Sequence, residues 1–551
     1  MSDECPVVNT NCGKLIGRVC LKAKASEAKQ VYNYAGVPFA KPPVGQLRFE
    51  PPQKCESWDG VLSCSKLPPA AMQDTEAFRS VWQYFPIANP FDDDLTKIDE
   101  DCLYLNIFTS SPSKAANMPV LVWFHGGANQ MHSIAGYDGQ VLCGLNDVVL
   151  VTVGYRLNVF GFFTAGIESD YPGNVGLLDQ VAALEWTRDN IRNFGGNPDN
   201  VTLFGQSGGA GNVGLHLASP LSRGLFHKTI QHSGACLGAA VKKSYERITE
   251  KFLNELKIEE RDPKIYMPKL KALPVNEIVE AIKTVGMEYA EAYYTTIDGK
   301  FLTEMTDDLF EQGNVAQVPS IIGINSTEYA GLFMIGLQQN FSEEEFDQFA
   351  KPRIAIFAGD KDDKKDELYK KLKEVYAADY SNDEPSKWQK VAADMLADCY
   401  FVFSITKLAL LLKKNNRPVY FYEMNYKLRL YHDQDYSGGL LQKSDQCECD
   451  HGDDIVFTFG FPMMNGKFEQ DVKFTEDEEE FSRIWMTYLC NFASTGDPNK
   501  GKQVPCQWRD FTEDTHRRLQ PGAQILESKN KLFDSKKYKL WNEDIPLLLK
   551  N

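Results

Sequence analysis

Val201-Thr-Leu-Phe-Gly-Gln-Ser-Gly-Gly-Ala210 is the stretch that decides the fold. Its apolar, partly β-branched run stops at Gly205, and residues 212–218 continue with side chains that favour a helix. This pattern predicts a strand, a turn too tight for large side chains, and the start of a helix. Ser207 at the apex would have a strained backbone and stand at the carboxyl end of a sheet, in front of a helix N-terminus. We therefore interpret Ser207 as a nucleophile that hydrolyses or transfers acyl groups.

A competing pattern overlaps this stretch. Gly209-x-Gly211-x-x-Gly214 after a strand resembles a dinucleotide-binding fingerprint. That fingerprint needs an acidic residue about 20 positions later to hold a ribose. No Asp or Glu occurs between Ser207 and Glu246, so the sequence favours the nucleophile.

The composition limits the classes of protein to consider. A chain of 551 residues can form one large α/β domain with insertions or several average domains. The net charge of −17 argues against nucleic acid or an anionic membrane as a partner. No run approaches the ~18 consecutive apolar residues of a membrane span, and the acidic first five residues are unlike a signal peptide. Thirteen cysteines, an odd number, favour reduced thiols, so we expect a cytoplasmic protein.

The densest cysteine cluster, Cys447-Glu-Cys-Asp-His451, suggests a metal site at first sight. Its spacing differs from that of ordinary zinc sites, and no second ligand pair is nearby in the sequence. We therefore expect no metal, and His451 is kept for another role.

Apolar runs predict the strands of a sheet. The main runs cover residues 102–108, 119–124, 148–153, 201–204, 318–325 and 418–422. Unbroken apolar runs are typical of parallel strands buried on both faces. A helical face lies between two of them, formed by Leu177, Val181, Leu184 and Ile191. Strands alternating with helices predict an α/β fold with a mostly parallel central sheet, and ligands bind beyond the carboxyl ends of its strands.

Charge-rich helical patterns fill two regions, at about 242–295 and 343–415, which we interpret as cap or side regions. Thr475-x-x-Glu478 predicts a capping box at the start of a late helix. With no internal repeat and no linker that would split the chain, we expect a single domain over residues 1–551.

The base and the acid should follow the nucleophile, because folds with this turn have the chain order nucleophile, acid, base. His451 lies on a polar loop after a late strand, where a base can reach the nucleophile, and His432 on the same loop is its rival. His216 falls within the helix after the turn and is better interpreted as structural. Glu328 follows the strand that ends at Asn325 and would face the same rim as the acid.

The chain resembles the type-B carboxylesterase family of α/β-hydrolases, which includes cholinesterases and juvenile hormone esterases, along essentially its whole length. The resemblance rests on Tyr34-Ala-Gly-Val-Pro-Phe-Ala-Lys-Pro-Pro-Val-Gly-Gln-Leu-Arg-Phe49, Glu100-Asp-Cys-Leu-Tyr-Leu-Asn106, Gly154-Tyr-Arg-Leu-Asn158, Asn174-Val-Gly-Leu-Leu-Asp-Gln180, Phe194-Gly-Gly-Asn-Pro198 and Ala493-Ser-Thr-Gly-Asp-Pro-Asn499.

This resemblance implies a catalytic triad of Ser207, Glu328 and His451. Glu328 matches the acid of the family's Gly-x-Asn-x-x-Glu segment, and His451 matches its His-Gly-x-Glu segment. Three backbone N–H groups are expected to form the oxyanion hole, those of Gly127, Ala128 and Gly208. The substrate would be a small-molecule ester, and no cofactor is needed.

The chain departs from the family near the nucleophile. The usual Gly-Glu-Ser-Ala-Gly has Gln206 and Gly208 here, although juvenile hormone esterases also use Gln. The usual His-Gly-Gly-Gly-Phe-x-x-Gly has Ala128, Asn129 and His132 at its fourth, fifth and eighth positions. These changes bear on the geometry of the oxyanion hole and on acyl preference.

Two further departures concern the substrate and the thiols. Ala88 stands where cholinesterases carry a cation-binding tryptophan, so acetylcholine lacks its aromatic partner. Cys102 matches one half of the family's first disulfide, but Ala71 stands at the upstream position, and Cys55 and Cys64 are the alternatives.

The leading hypothesis is an intracellular serine carboxylesterase that acts on small or medium apolar esters. The alternative is a non-catalytic, cholinesterase-like binding or adhesion protein; such proteins typically lack a triad member, whereas this chain keeps all three. A third hypothesis is a lipid-active hydrolase with a lid between Lys242 and Thr295.

Overall fold

An eleven-stranded sheet runs through the computed structural model. The structure describes residues 4–238, 241–242, 246–285, 295–331, 341–358, 361–414, 417–512, 516–520, 524–528 and 536–550. In chain order the strands are β1 (Arg18–Val19), β2 (Tyr32–Pro38), β3 (Tyr104–Thr109), β4 (Met118–Phe124), β5 (Val149–Val153), β6 (Gly196–Gln206), β7 (Lys228–His232), β8 (Ser320–Asn325), β9 (Val419–Met424), β10 (His516–Gln520) and β11 (Gln524–Ser528).

The strands lie in the order β11-β10-β9-β8-β7-β6-β4-β5-β3-β2-β1. The block from β10 to β5 is parallel, and antiparallel strands complete both edges. β5 is buried along its whole length, as its unbroken apolar sequence requires in a sheet covered on both faces. The predicted α/β fold with a mostly parallel sheet is confirmed.

Helices cover both faces of the sheet. The α-helices are Thr75–Ser80, Gln140–Leu145, Asn158–Phe162, Val175–Asn190, Gly208–Ala218, Glu246–Glu255, Pro263–Ala272, Val275–Val285, Thr306–Gln312, Glu343–Ala355, Lys365–Ala377, Lys387–Ala397, Phe403–Lys414, Gln434–Ser437, Asp453–Thr458, Glu476–Thr495, Lys536–Lys539 and Ile545–Lys550. Alternate side chains of β4 enter two separate cores, with Val122 and Leu184 in one and Trp123 and Trp485 in the other.

Three smaller sheets surround this core. They are formed by Val7–Asn9, Lys14–Ile16 and Val61–Ser63, by Ala70–Ala71 and Ile98–Asp99, and by Val241–Lys242 and Thr295–Thr296.

The helical character predicted for the two cap or side regions is confirmed in their described residues. The capping box is also confirmed, since the Thr475 side chain accepts a hydrogen bond from the backbone N–H of Glu478. Two π-helical turns interrupt the late helices, at Asp398–Val402 and Leu540–Asp544. The helical run Lys387–Lys414, which contains the first turn, is long and apolar enough to cross a membrane. However, 56% of its most apolar window is buried inside the protein, as in core helices that pass the same test.

One disulfide corrects the expectation of fully reduced thiols. Cys12 and Cys55 are bonded across a sequence separation of 43 residues, with Cα atoms 6.8 Å apart. The other eleven cysteines are free, including Cys64 and Cys102. The sequence did not reveal this pairing because it depends on a loop that the tertiary fold brings to the N-terminal hairpin.

Candidate active site

Ser207 lies in the tight turn between β6 and the helix Gly208–Ala218. Its backbone has φ 55° and ψ −126°, a strained conformation for a residue with a Cβ. The Ser207 N–H donates to the carbonyl of His232 at 2.8 Å, which ties the turn to the end of β7. A Cβ on Gly209 would lie 2.0 Å from the carbonyl oxygen of Phe124, so the turn closes only with glycine there. The predicted strand, turn and helix are confirmed.

His451 and Glu328 meet although 123 residues separate them. Nδ1 of His451 lies 2.7 Å from Oε2 of Glu328, and both side chains are buried. The other carboxylate oxygen accepts the backbone N–H of Asn325 at 2.6 Å. This geometry places the proton on Nδ1 and leaves Nε2 as an acceptor. The Phe401 ring packs on the imidazole, with ring centroids 4.3 Å apart.

Gln206, the residue before the turn serine, contacts the other imidazole nitrogen. Its side-chain nitrogen lies 3.2 Å from Nε2 of His451, at a distance and in a direction that allow it to donate. Among the described residues, the hydrogen bond to Nε2 therefore comes from Gln206 and not from the hydroxyl of Ser207. Catalytic hydrogen bonds are often incomplete without substrate, so this arrangement does not exclude a later contact with the serine.

The three backbone N–H groups predicted to form the oxyanion hole have no acceptor of their own in the described residues. They are those of Gly127, Ala128 and Gly208. A Cβ on Gly208 would lie 2.8 Å from the backbone nitrogen of Ala128, so these two backbone segments approach closely. Ala128 reaches this position with a φ of 54°, which costs a residue with a Cβ about 1–2 kcal/mol.

The residue after Ala128 explains how this loop is held. Asn129 also has a positive φ, 59°, which asparagine adopts more readily than other non-glycine residues. Its side chain exchanges two hydrogen bonds with that of Asn212, at 2.8 and 3.2 Å, in a buried setting. Asn212 belongs to the helix Gly208–Ala218, so the pair ties the loop of Ala128 to the helix that follows Ser207. Sequence reasoning missed this pair.

A cavity of about 340 Å³ opens beside Ser207, Ala128 and Gly208. Much of its wall is aromatic and is built by Phe357, Tyr400, Phe401, Phe403 and Trp541. Both π-helical turns contribute to it, and Trp541 packs on Phe403 and Phe357 with ring centroids 5.7 and 5.8 Å apart. Its charged lining residues are Asp307 and Lys407, which pair with each other at 2.6 Å. The cavity thus suits an apolar group of modest size.

A buried ion cluster supports the turn that carries His451. Nζ of Lys443 lies 2.6 Å from Asp453 and 3.3 Å from Asp450, and all three side chains are almost fully buried. Burial alone would lower the pKa of Lys443, but the two carboxylates raise it well above its usual value. The cation therefore stays charged and fixes the residues on both sides of His451-Gly452.

The other histidines singled out in the sequence lie elsewhere. His216 is buried and hydrogen-bonded through both ring nitrogens, to Ser222 at 2.6 Å and Gln180 at 3.0 Å, which confirms its structural interpretation. Burial and the nearby Lys427 and Lys443 lower the pKa of His432 to about 4, and it does not join the His451–Glu328 pair. In the cysteine cluster, Cys447 lies beside Thr327, with 3.6 Å between Sγ and Oγ1.

Comparison with known proteins places this geometry in a family. The family model described as "Carboxylesterase family" matches residues 4–541. Human cocaine esterase is 34% identical over 522 residues, covering 92% of this chain and 86% of that protein. Rabbit (Oryctolagus cuniculus) liver carboxylesterase 1 is 34% identical, covering 98% and 93%. Rat (Rattus norvegicus) pyrethroid hydrolase Ces2e is 33% identical, covering 98% and 90%. The chain therefore belongs to the carboxylesterase family, has the α/β-hydrolase fold, and is a carboxylic ester hydrolase.

Proposed function

We propose that this chain is a serine carboxylesterase that hydrolyses small or medium apolar esters through an acyl-enzyme on Ser207. The single observation that carries the proposal is the 2.7 Å contact between His451 and Glu328, which leaves Nε2 unprotonated beside the turn of Ser207. An imidazole that keeps its proton on Nδ1 can accept another at Nε2, which is what a general base requires.

In the first step His451 takes the proton of Ser207 while the serine oxygen attacks the ester carbonyl carbon. For this, Nε2 exchanges its contact with Gln206 for one with the serine hydroxyl when the substrate is bound. Glu328 holds the ring in the correct tautomer and stabilises the imidazolium that forms. The imidazolium then protonates the departing alcohol, and the acyl group remains on Ser207.

The negative charge that develops on the carbonyl oxygen is received by the N–H groups of Gly127, Ala128 and Gly208. Loss of one such donor typically reduces kcat about 10²–10³-fold. Water then attacks the acyl-enzyme with His451 as base, which releases the acid and restores Ser207. The chemistry needs no metal and no cofactor.

The cavity supports the choice of substrate. Its aromatic wall favours apolar acyl or alcohol groups, and a volume of about 340 Å³ is at the small end of the ligand sites found in proteins. Two of the related proteins are named cocaine esterase and pyrethroid hydrolase, and these names agree with a small-molecule ester as the substrate.

The test is hydrolysis of p-nitrophenyl acetate and butyrate by the wild type and by Ser207→Ala, with an organophosphate as covalent label. We expect the variant to lose at least about 10³-fold in kcat and the label to map to Ser207. Equal activity in both proteins, or a label on another residue, would remove Ser207 from the mechanism. A wild type that is inactive towards every ester would favour the non-catalytic binding protein.

A further inference from the structure

A second buried histidine–carboxylate pair lies beside the first. Asp454 follows His451 by three residues, and its Oδ2 lies 2.7 Å from Nδ1 of His232 at the end of β7. Both side chains are completely buried. The two groups are within ion-pair distance but are not aligned as a hydrogen bond, so an attraction between them depends on a protonated ring.

The surroundings of His232 suit a cation. Three aromatic rings enclose the imidazole, those of Phe204, Tyr422 and Trp485, with ring centroids 5.0, 5.5 and 5.7 Å away. Aromatic faces at about this distance attract a positive charge. Nε2 of His232 has no hydrogen-bond partner among the described residues, so Asp454 is the group that compensates the ring.

Asp454 is linked to the catalytic pair through Asn325. The Asn325 side chain donates to Asp454 Oδ1 at 3.3 Å and to the carbonyl of Asp450 at 2.7 Å. The backbone N–H of the same residue donates to Glu328 at 2.6 Å. One asparagine thus joins the two carboxylates, and both lie close to the ring of His451.

His232 also lies beside Gln206 in the sheet. The two residues are register partners at the ends of β7 and β6. Gln206 contacts Nε2 of His451, and His232 contacts Asp454 on the same turn. The ends of two neighbouring strands therefore hold the base from two points.

Asp454 has few charged neighbours in this buried turn. Burial would raise the pKa of Asp454, but His232, Asn325 and His451 together hold it below its usual value. Tyr422 donates to Asp454 at 3.2 Å. The other titratable neighbours of Asp454, Tyr137 and Cys449, have pKa values raised by burial, as does Tyr422, so all three are neutral at pH 7. In the part of the chain that the structure describes, Glu328 and Asp454 are then carboxylates next to His451 that are not paired with Lys443.

We propose that His232 is a positively charged positioning residue that cancels the charge of Asp454, so that His451 loses its proton at a lower pH than it otherwise would. A general base must be neutral to act, and each uncompensated carboxylate beside it stabilises the imidazolium instead. This inference rests on the proposed roles of Ser207 and His451.

The test is the pH dependence of kcat/KM for p-nitrophenyl butyrate in the wild type, His232→Gln and His232→Gln/Asp454→Asn. Glutamine keeps a donor near Asp454 but removes the positive charge. We expect the acid limb of His232→Gln to move about one pH unit upwards, and the double variant to return to within a few tenths of the wild type. His216→Gln, which alters a buried histidine away from the turn, should leave the acid limb in place.

A merely structural role would lower kcat without moving the acid limb, and that result would overturn the inference. Active-site titration with the organophosphate corrects each variant for its folded fraction and separates this result from failure of the proposed nucleophile. If His232→Gln does not fold, ¹⁵N NMR of histidine-labelled wild type still decides the matter. Two equivalent ring nitrogens of His232 at pH 7 are expected for the imidazolium, and a neutral ring would overturn the inference.

Discussion

The side-chain nitrogen of Gln206 lies 3.2 Å from Nε2 of His451, so the residue before Ser207 occupies the nitrogen that accepts the serine proton in the proposed mechanism. The amide can donate there only while Nε2 is unprotonated. It also keeps the ring oriented, together with Glu328 on Nδ1. In the proposed mechanism, Gln206 is a neutral group that bound substrate displaces from Nε2.

A carboxylate at position 206 should shift the pH profile of the reaction. Gln206→Glu places a negative charge beside Nε2, where it stabilises the imidazolium, so we expect the acid limb of kcat/KM to move about one pH unit upwards. The measurement is a pH profile with p-nitrophenyl butyrate. Gln206→Met has a similar shape without charge or donor and should leave the limb in place. Identical limbs for the Glu and Met variants would contradict this account.

The reciprocal amides of Asn129 and Asn212 should matter for kcat more than for KM. Asn212→Ala removes the only side-chain tie from the helix Gly208–Ala218 to Asn129 in the described hydrogen bonds, which loosens Ala128. Because this group positions a donor rather than donating itself, we expect kcat to fall about tenfold, less than the loss of a donor. Since both single changes delete the same pair, Asn129→Gly combined with Asn212→Ala should cost no more than either alone. Additive losses would show that the two side chains act separately.

Much of the fold was predictable because its signals are local. The turn at Ser207 includes Gly205, whose Cβ would lie 2.5 Å from the backbone of Gly209, and the capping box at Thr475 spans four residues. β10, with the sequence His-Arg-Arg-Leu-Gln, was missed because a short polar strand lacks an apolar pattern.

The site was predictable only in part, because its contacts join distant parts of the chain. Glu328 could be chosen from its place after a buried strand, which fixes where the backbone emerges. Gln206 and His451 are 245 residues apart, and no local pattern in the sequence indicates that their side chains meet. The same holds for His232 and Asp454, which look like ordinary polar residues in the sequence.

Trp541 should limit the length of the apolar group that the cavity accepts. It closes the aromatic wall against Phe403 and Phe357, so Trp541→Leu lengthens the cavity while keeping it apolar. We expect kcat/KM for p-nitrophenyl octanoate to rise roughly tenfold relative to the acetate. Leu547→Ala, on the next turn of chain but 60% exposed, should leave the ratio unchanged. A parallel series of alkyl acetates identifies whether the alcohol group uses this cavity, and an unchanged ratio in both series would contradict the role of Trp541.

Asp398 should make the wall of the cavity less stable as pH rises. Burial raises its pKa to about 7, although Tyr376 donates to it at 2.6 Å and Lys537 lies nearby. Tyr376 in turn accepts a hydrogen bond from Trp541 at 3.0 Å, so this carboxyl anchors the C-terminal helix. A folded pKa above the unfolded value of about 4 means that the stability of the neutral form is fully present below pH 4 and is lost as pH rises to about 7.

Asp398→Asn should therefore stabilise the protein, and more so at pH 8 than at pH 5. Asparagine keeps an acceptor for Tyr376 and removes the ionisation, which costs up to about 4 kcal/mol above pH 7. Thermal melts at the two pH values check this, with Asp394→Asn as control, because that carboxylate accepts a similar bond from Tyr380 at a half-buried site. A gain in Tm of the same size at both pH values would contradict this account, and so would a loss at pH 8. Either result would show that Asp398 is stabilised in its charged form, with Lys537 as the group that compensates it.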